Sequence, residues 1–132
     1  MVDKKSMYLL DSNILIDFLN GDKKIGDWIN TEKSISTLFP FAISIVGRIE
    51  VLSDKKLTEK QAIELEKFLD TFDTFSISDE IARLAAMIRR EKVLTLGDAI
   101  IAATAIIRKR TLVTKDKSFA KKVSNLVEIL SI

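Results

Sequence analysis

Met7-Tyr8-Leu9-Leu10-Asp11-Ser12-Asn13 runs four apolar residues into a polar step, the pattern of a buried strand that stops and turns into a helix. Asp11 therefore belongs at the carboxyl end of a strand. Ile14, Leu15, Phe18 and Leu19 then share one helical face before Asn20-Gly21 ends it, and Ile25, Trp28 and Ile29 repeat the i, i+3, i+4 spacing. Two helices are expected after the first strand.

The alternation recurs along the rest of the chain. Pro40 suits a strand's first residue, where a missing N–H does least harm, and Phe41–Ser44 is predicted as strand. Ile45, Ile49 and Leu52 share a face and define a helix that carries Glu50 one step off that face. Thr58 and Gln61 have the form of a capping box, opening a helix with apolar positions Leu65, Phe68, Leu69 and Phe72. A short strand is expected over 74–77. The stripe Ile81, Leu84, Ala85 and Ile88 makes Asp79–Glu91 helical, and 98–107 is a helix apolar nearly all round, opened by Asp98 and bound for the core. Thr111–Thr114 is a β-branched strand, 115–123 a short helix and 126–130 a final strand. Strands alternating with helices imply a parallel sheet covered on both faces, a three-layer α/β domain.

A chain of 132 residues has the commonest size of a single domain, so 1–132 is read as one. With 47% hydrophobic and 30% charged residues but only four glycines and one proline, long linkers and low-complexity architectures are disfavoured. There is no cysteine and no histidine, which excludes disulfide frameworks, thiolate or imidazole zinc sites, Ser-His-Asp triads and Cys-His nucleophiles. Any metal must be held by oxygen, which suits magnesium or manganese. Met1 to Ser6 contains lysines but no apolar leader follows, and no apolar stretch reaches membrane-spanning length, so a soluble cytoplasmic protein with no membrane partner is expected. The net charge of +2 is uninformative, but Arg108, Lys109, Arg110, Lys115, Lys117, Lys121 and Lys122 crowd a region in which Asp116 is the only acid.

Ligands of open parallel sheets bind beyond the carboxyl ends of strands where strand order reverses. Asp11 and Asp116 both follow predicted strands. If the strand at Thr111 lies beside that at Met7, the two carboxylates leave adjacent loops, Asp98 enters from the helix between, and Glu50 joins from its own helix. Four ionised carboxylates at close range are tolerable mainly when a divalent cation neutralises them. Each acid also has a plain structural explanation: Asp11 as a helix N-cap, Asp98 as a charge at the positive end of a helix dipole, Glu50 as a solvated charge and Asp116 as a salt-bridging turn residue. Only their joint placement favours a site.

The segments Leu9-Leu10-Asp11-Ser12-Asn13-Ile14-Leu15-Ile16-Asp17, Ser44 to Glu50, Gly97-Asp98-Ala99-Ile100-Ile101-Ala102-Ala103-Thr104-Ala105 and Leu112-Val113-Thr114-Lys115-Asp116 resemble, in order and rough spacing, PIN-domain proteins, particularly toxins of the VapC type. The resemblance implies a three-layer α/β/α fold with a five-stranded parallel sheet, and endoribonuclease activity on RNA with Mg2+ or Mn2+. It also implies a homodimer and a small cognate antitoxin protein. By position, Asp11, Glu50, Asp98 and Asp116 match the family's four acids, and Thr114 and Ser12 the polar residues that support them. Gly47 and Ser118 depart from the pattern, where many relatives carry Thr or Ser and a further acid.

Hydrolysis of a phosphodiester would use Asp11 and Asp98 as direct metal ligands, Asp116 to complete their shell, and Glu50 to orient water or hold a second ion. Arg48 and the nearby lysines are candidates for offsetting phosphate charge. A rival of another class is a non-catalytic protein-binding module of the same fold, docking through Trp28, Phe39 and Phe41. A phosphoacceptor receiver domain is disfavoured because residues 74–78 offer only Asp79, inside a helix. An Asp-x-Asp phosphatase is disfavoured because Ser12 and Asn13 follow Asp11.

Overall fold

Aliphatic, aromatic and β-branched residues dominate five short strands, and Ser, Thr or Asp stands at most helix starts, where a side-chain oxygen takes an otherwise orphaned backbone N–H. A computed structural model of the chain describes residues 7–35 and 38–132; the reading of Met1 to Ser6 lies outside them. Along the described residues the order is β1 (Tyr8–Leu10), α1 (Ser12–Leu19), α2 (Lys23–Ile35), β2 (Phe41–Ser44), α3 (Ile45–Leu52), α4 (Glu59–Leu69), β3 (Asp73–Phe75), α5 (Asp79–Glu91), α6 (Leu96–Ile107), β4 (Thr111–Thr114), α7 (Lys117–Val123) and β5 (Ile129–Ser131). Every strand pairing is parallel, in the order β3-β2-β1-β4-β5. The three-layer α/β/α architecture with a five-stranded parallel sheet is the one the sequence predicts.

Alternate side chains along the strands feed two cores, as a period of two requires. Leu9, Ala42 and Leu112 face α5, α6 and α7 through residues such as Ile81, Ile101 and Phe119. Tyr8, Leu10, Phe41, Ile43 and Val113 face the opposite layer, which includes Ile14 and Leu15 of α1 and Ile25 and Ile29 of α2. The aromatic residues that a docking module would display are mostly spent there: Phe41 is fully buried, and Trp28 packs edge-on against Tyr8 at 5.0 Å between centroids. No helix among the described residues is long and apolar enough to cross a membrane.

Several boundaries differ from the sequence expectations. β3 occupies 73–75 rather than 74–77, because its partner β2 ends at Ser44 opposite Phe75 and Ser78 then caps α5 by accepting the Ile81 N–H at 3.1 Å. β5 starts at Ile129 rather than 126, since the N–H groups of Leu126 and Val127 turn back to the Val123 carbonyl and close α7. α6 starts at Leu96 under a Thr95 cap, two residues before Asp98, and α7 starts at Lys117 under an Asp116 cap rather than at Lys115. On α3 the buried residues are Gly47 and Val51, whereas Ile49 is 57% exposed, so the face assigned from Ile45, Ile49 and Leu52 is rotated from the real one.

The end of α6 carries the chain's one described non-glycine residue at positive φ, Lys109 at 56°. Its N–H reaches the Ile106 carbonyl and the Arg110 N–H reaches the Ala105 carbonyl at 2.9 Å, the double closure of a Schellman cap. Left-handed backbone disfavours any residue with a Cβ. Lys109→Gly is therefore expected to stabilise the fold by about 0.5–1 kcal/mol, read as a higher denaturation midpoint with an unchanged slope.

Candidate active site

From β1 the chain moves outward to β2 and β3, then returns to the other side of β1 as β4. The loops leaving the carboxyl ends of β1 and β4 diverge at this reversal, which opens a crevice between them. Asp11 stands at its floor, only 5% exposed. Its backbone N–H donates to the Val113 carbonyl at 2.9 Å, continuing the β1–β4 ladder by one residue. Its side chain caps α1: Oδ1 accepts the Ser12 N–H at 2.9 Å and Oδ2 accepts the Thr114 hydroxyl at 2.8 Å.

Thr114, fully buried at the end of β4, ties two acids together. Besides donating to Asp11, its Oγ1 accepts the Asp116 N–H at 3.0 Å, and the Asp116 carboxylate then caps α7 by accepting the Phe119 N–H at 3.0 Å. Asp98 lies in the first turn of α6, its N–H donating to Thr95 Oγ1 at 3.1 Å. Glu50 is exposed on α3. Its carboxylate lies beside the start of α6, where a Cβ on Gly97 would stand 3.9 Å from Glu50 Oε2, an ordinary contact distance.

The electrostatics tie the acids to one another. Burial pushes the Asp11 carboxyl above the ordinary carboxylate range; the Thr114 and Ser12 hydrogen bonds oppose this, and the charges of Glu50 and Asp116 add to it. Asp98 is raised first by burial and then by the charges of Asp11 and Asp116, with the Thr95 hydrogen bond and the Lys122 charge acting in the other direction. Thus all four acids singled out by sequence lie within electrostatic reach of one cluster. The capping role considered for Asp11 is also real, and Asp116, expected as a salt-bridging turn residue, caps α7, so each side chain serves both local structure and the cluster. Ser12 supports Asp11 with its backbone N–H rather than its hydroxyl.

Sequence reasoning missed three contributors. Asn13 Oδ1 accepts the Lys115 N–H at 3.4 Å, and the Lys115 ammonium pairs with Asp17, strapping the β4 loop to α1. Thr95 is the third, although Thr95-Leu96-Gly97-Asp98 has the Thr-x-x-acid form that marks a helix start. The basic region divides. Arg108, Lys109 and Arg110 precede β4, at the amino ends of the strands, where Arg110 lies near the Tyr8 and Pro40 carbonyls and the guanidiniums of Arg108 and Arg110 stack on Phe75 at 4.5 and 5.1 Å. Lys115, Lys117, Lys121 and Lys122 follow β4, on the side of the acids. Arg48 is committed elsewhere, hydrogen-bonded to Asp70 at 2.7 Å, and so is not the phosphate-neutralising residue its closeness to Glu50 in sequence suggests.

Among the described residues, no three acids form a preassembled metal cage. The donor set still fits a hard divalent cation of the magnesium type, which keeps several of its waters and binds through one or two carboxylates together with substrate phosphate. Burial and mutual repulsion, which hold the Asp11 and Asp98 carboxyls above their ordinary range, are what such a charge would relieve.

With this geometry in place, comparison with known proteins is informative. The PIN domain family model matches residues 8–124. A toxin-antitoxin complex from Klebsiella pneumoniae contains a chain 29% identical to this one, with 94% of this chain and 96% of that chain covered and a TM-score of 0.76. VapBC2 from Rickettsia felis, solved bound to a DNA fragment from their promoter, is 22% identical over 96% and 98% of the two chains at a TM-score of 0.79. FitAcB from Neisseria gonorrhoeae is 21% identical over 95% and 97% at 0.75. A comparison with curated proteins finds no match.

Proposed function

This chain belongs to the PIN domain family, and from that premise we propose that it is a metal-dependent endoribonuclease of the VapC type, hydrolysing RNA phosphodiester bonds as the toxin of a toxin-antitoxin pair. The observation that carries the reading is the mutual electrostatic coupling of Asp11, Glu50, Asp98 and Asp116 where strand order reverses. Asp11 and Asp98, the two whose proton affinity burial and neighbouring charge raise, are costly to the fold, and such cost is characteristic of sites kept for chemistry.

Asp11 and Asp98 would hold Mg2+ or Mn2+, with Asp116 and Glu50 completing the set. When bound, the cation supplies a water of lowered pKa and offsets charge on the phosphate. The chain's own residues do the rest. Thr114 and the Ser12 N–H hold the Asp11 carboxylate in one rotamer. The exposed carboxylates of Glu50 and Asp116 orient the attacking water, and one of them takes up its proton as the water oxygen bonds to phosphorus, the RNA P–O ester bond breaks and the leaving ribose oxygen picks up a proton from solvent. Residues 1–132 act as a single PIN domain in the cytoplasm, as a homodimer, with a small antitoxin as cognate partner. The last point is supported by the toxin-antitoxin complex from Klebsiella pneumoniae.

The test is cleavage of a mixed RNA pool by purified protein with Mg2+, Mn2+ or EDTA. Cutting with either ion and none with EDTA is expected. A folded protein that cuts under no condition yet binds a protein partner tightly would instead be the non-catalytic module.

A further inference from the structure

Two cavities meet beside Asp98 and Asp116. The one that holds these acids, about 310 Å³, shares Val93, Ser118 and Lys122 with a second of about 660 Å³ whose walls add Lys92 and Lys121. Among the described residues, the second cavity has three lysines and no acid. On the other side of the cluster, the groove between α1, α3 and α4 carries Glu50, Asp54 and Glu64 against a single Lys56. A polyanion entering the acid cluster therefore meets a negative wall in one direction and a positive one in the other.

Lys122 stands at the join, its ammonium donating to the Val93 carbonyl at 2.9 Å. Among the described residues, no carboxylate lies within ion-pair distance of Lys92 or Lys121, so their charges are unspent. Phe119 is the sole described aromatic residue lining either cavity, and it is buried. Bases find no stacking platform here, which leaves the backbone as the part of a nucleic acid this surface can grip.

We propose that the lysine cavity between α7 and the α5–α6 loop is a phosphate subsite, in which Lys92 and Lys121 hold the phosphate of a nucleotide adjoining the cut bond and Lys122 joins it to the acid cluster. The subsite rests on the ribonuclease reading. It sets the direction in which a single strand leaves the acids, and it is indifferent to base identity because it touches only phosphate oxygens.

The test is the Lys92→Gln, Lys121→Gln double variant, read by steady-state cleavage of a single-stranded RNA with Mg2+. RNA binding is measured in parallel as a function of salt for several unrelated oligoribonucleotides, with and without the lysine changes, in an Asp11→Asn, Asp98→Asn background. A KM raised roughly three- to tenfold with kcat retained is expected at moderate salt. Affinity should fall by one common factor for every sequence, and the salt slope should become shallower by about 0.7, the value for one single-strand phosphate that is no longer neutralised. Lys→Arg at both positions should restore both. A protein that cleaves RNA but shows unchanged KM and salt slope in the variant overturns the subsite and leaves the nuclease standing. A variant whose affinity falls only for particular sequences also overturns it, pointing to base readout. A wild-type protein that neither binds nor cleaves RNA removes both.

Discussion

Replacing Asp11 and Asp98 together by asparagine should lower metal-dependent RNA cleavage by about 10²–10⁴-fold, while the metal-free protein gains stability relative to wild type as pH rises. The two effects have one cause. Both carboxyls have proton affinities raised by burial and by neighbouring acids, so the folded state binds their protons more tightly than the unfolded chain does. Stability from these groups is fully present below the ordinary carboxylate pKa and is lost as pH rises through their raised values. The difference in melting temperature between variant and wild type should therefore grow in the variant's favour from acid toward neutral pH. Added Mg2+ should narrow it by stabilising only the wild type. Thermal melts across pH, with and without the ion, check this; a difference that stays constant with pH would mean that the charges of these carboxylates cost the fold nothing.

Thr114→Val should destabilise the protein by about 1–3 kcal/mol, the usual cost of stranding buried polar partners, and should reduce cleavage as well. The valine keeps the shape but removes the donor to Asp11 Oδ2 and the acceptor of the Asp116 N–H, so two carboxylates lose their positioning at once. Because the Thr114 hydrogen bond lowers the Asp11 proton affinity, its loss raises that affinity further. The stability deficit is then greatest where Asp11 is ionised and shrinks as pH falls through its raised pKa. Thr114→Ser, which keeps the hydroxyl, should recover most of both properties. Chemical denaturation at two pH values and cleavage rates for the three proteins test it. A deficit in Ser with none in Val would show that the methyl group's packing, not the hydroxyl, is what matters.

Much of this could be read in one dimension. The apolar run ending at Asp11, the Thr58 and Gln61 capping box, confirmed by reciprocal bonds of 3.0 and 3.1 Å, and the strands Phe41–Ser44 and Thr111–Thr114 are marked by residue types within a few positions of one another. They therefore leave local signatures. The ends of β3 and β5 do not, because a strand stops where its neighbour stops offering partners, and that neighbour is distant in sequence. The helix start at Leu96 is legible through Thr95 but is overshadowed by the acid two residues further on.

By itself the sequence determined the element order, the oxygen-only chemistry implied by a chain without histidine or cysteine, and the four acids as candidates, since hydrophobic period, capping and composition are local properties. Tertiary structure alone decided which neighbours those acids have. Pairing β1 with β4 across about a hundred residues lets one buried threonine hold both Asp11 and Asp116, the approach of α3 to α6 sets Glu50 beside Gly97, and the rotation of α3 commits Arg48 to Asp70. The same packing sends Arg108 and Arg110 to the amino ends of the strands and leaves Lys121 and Lys122 beside the acids, because a strand of four residues separates two ends of a charge run that look continuous in sequence, and it brings Lys92 to the same place from the end of α5.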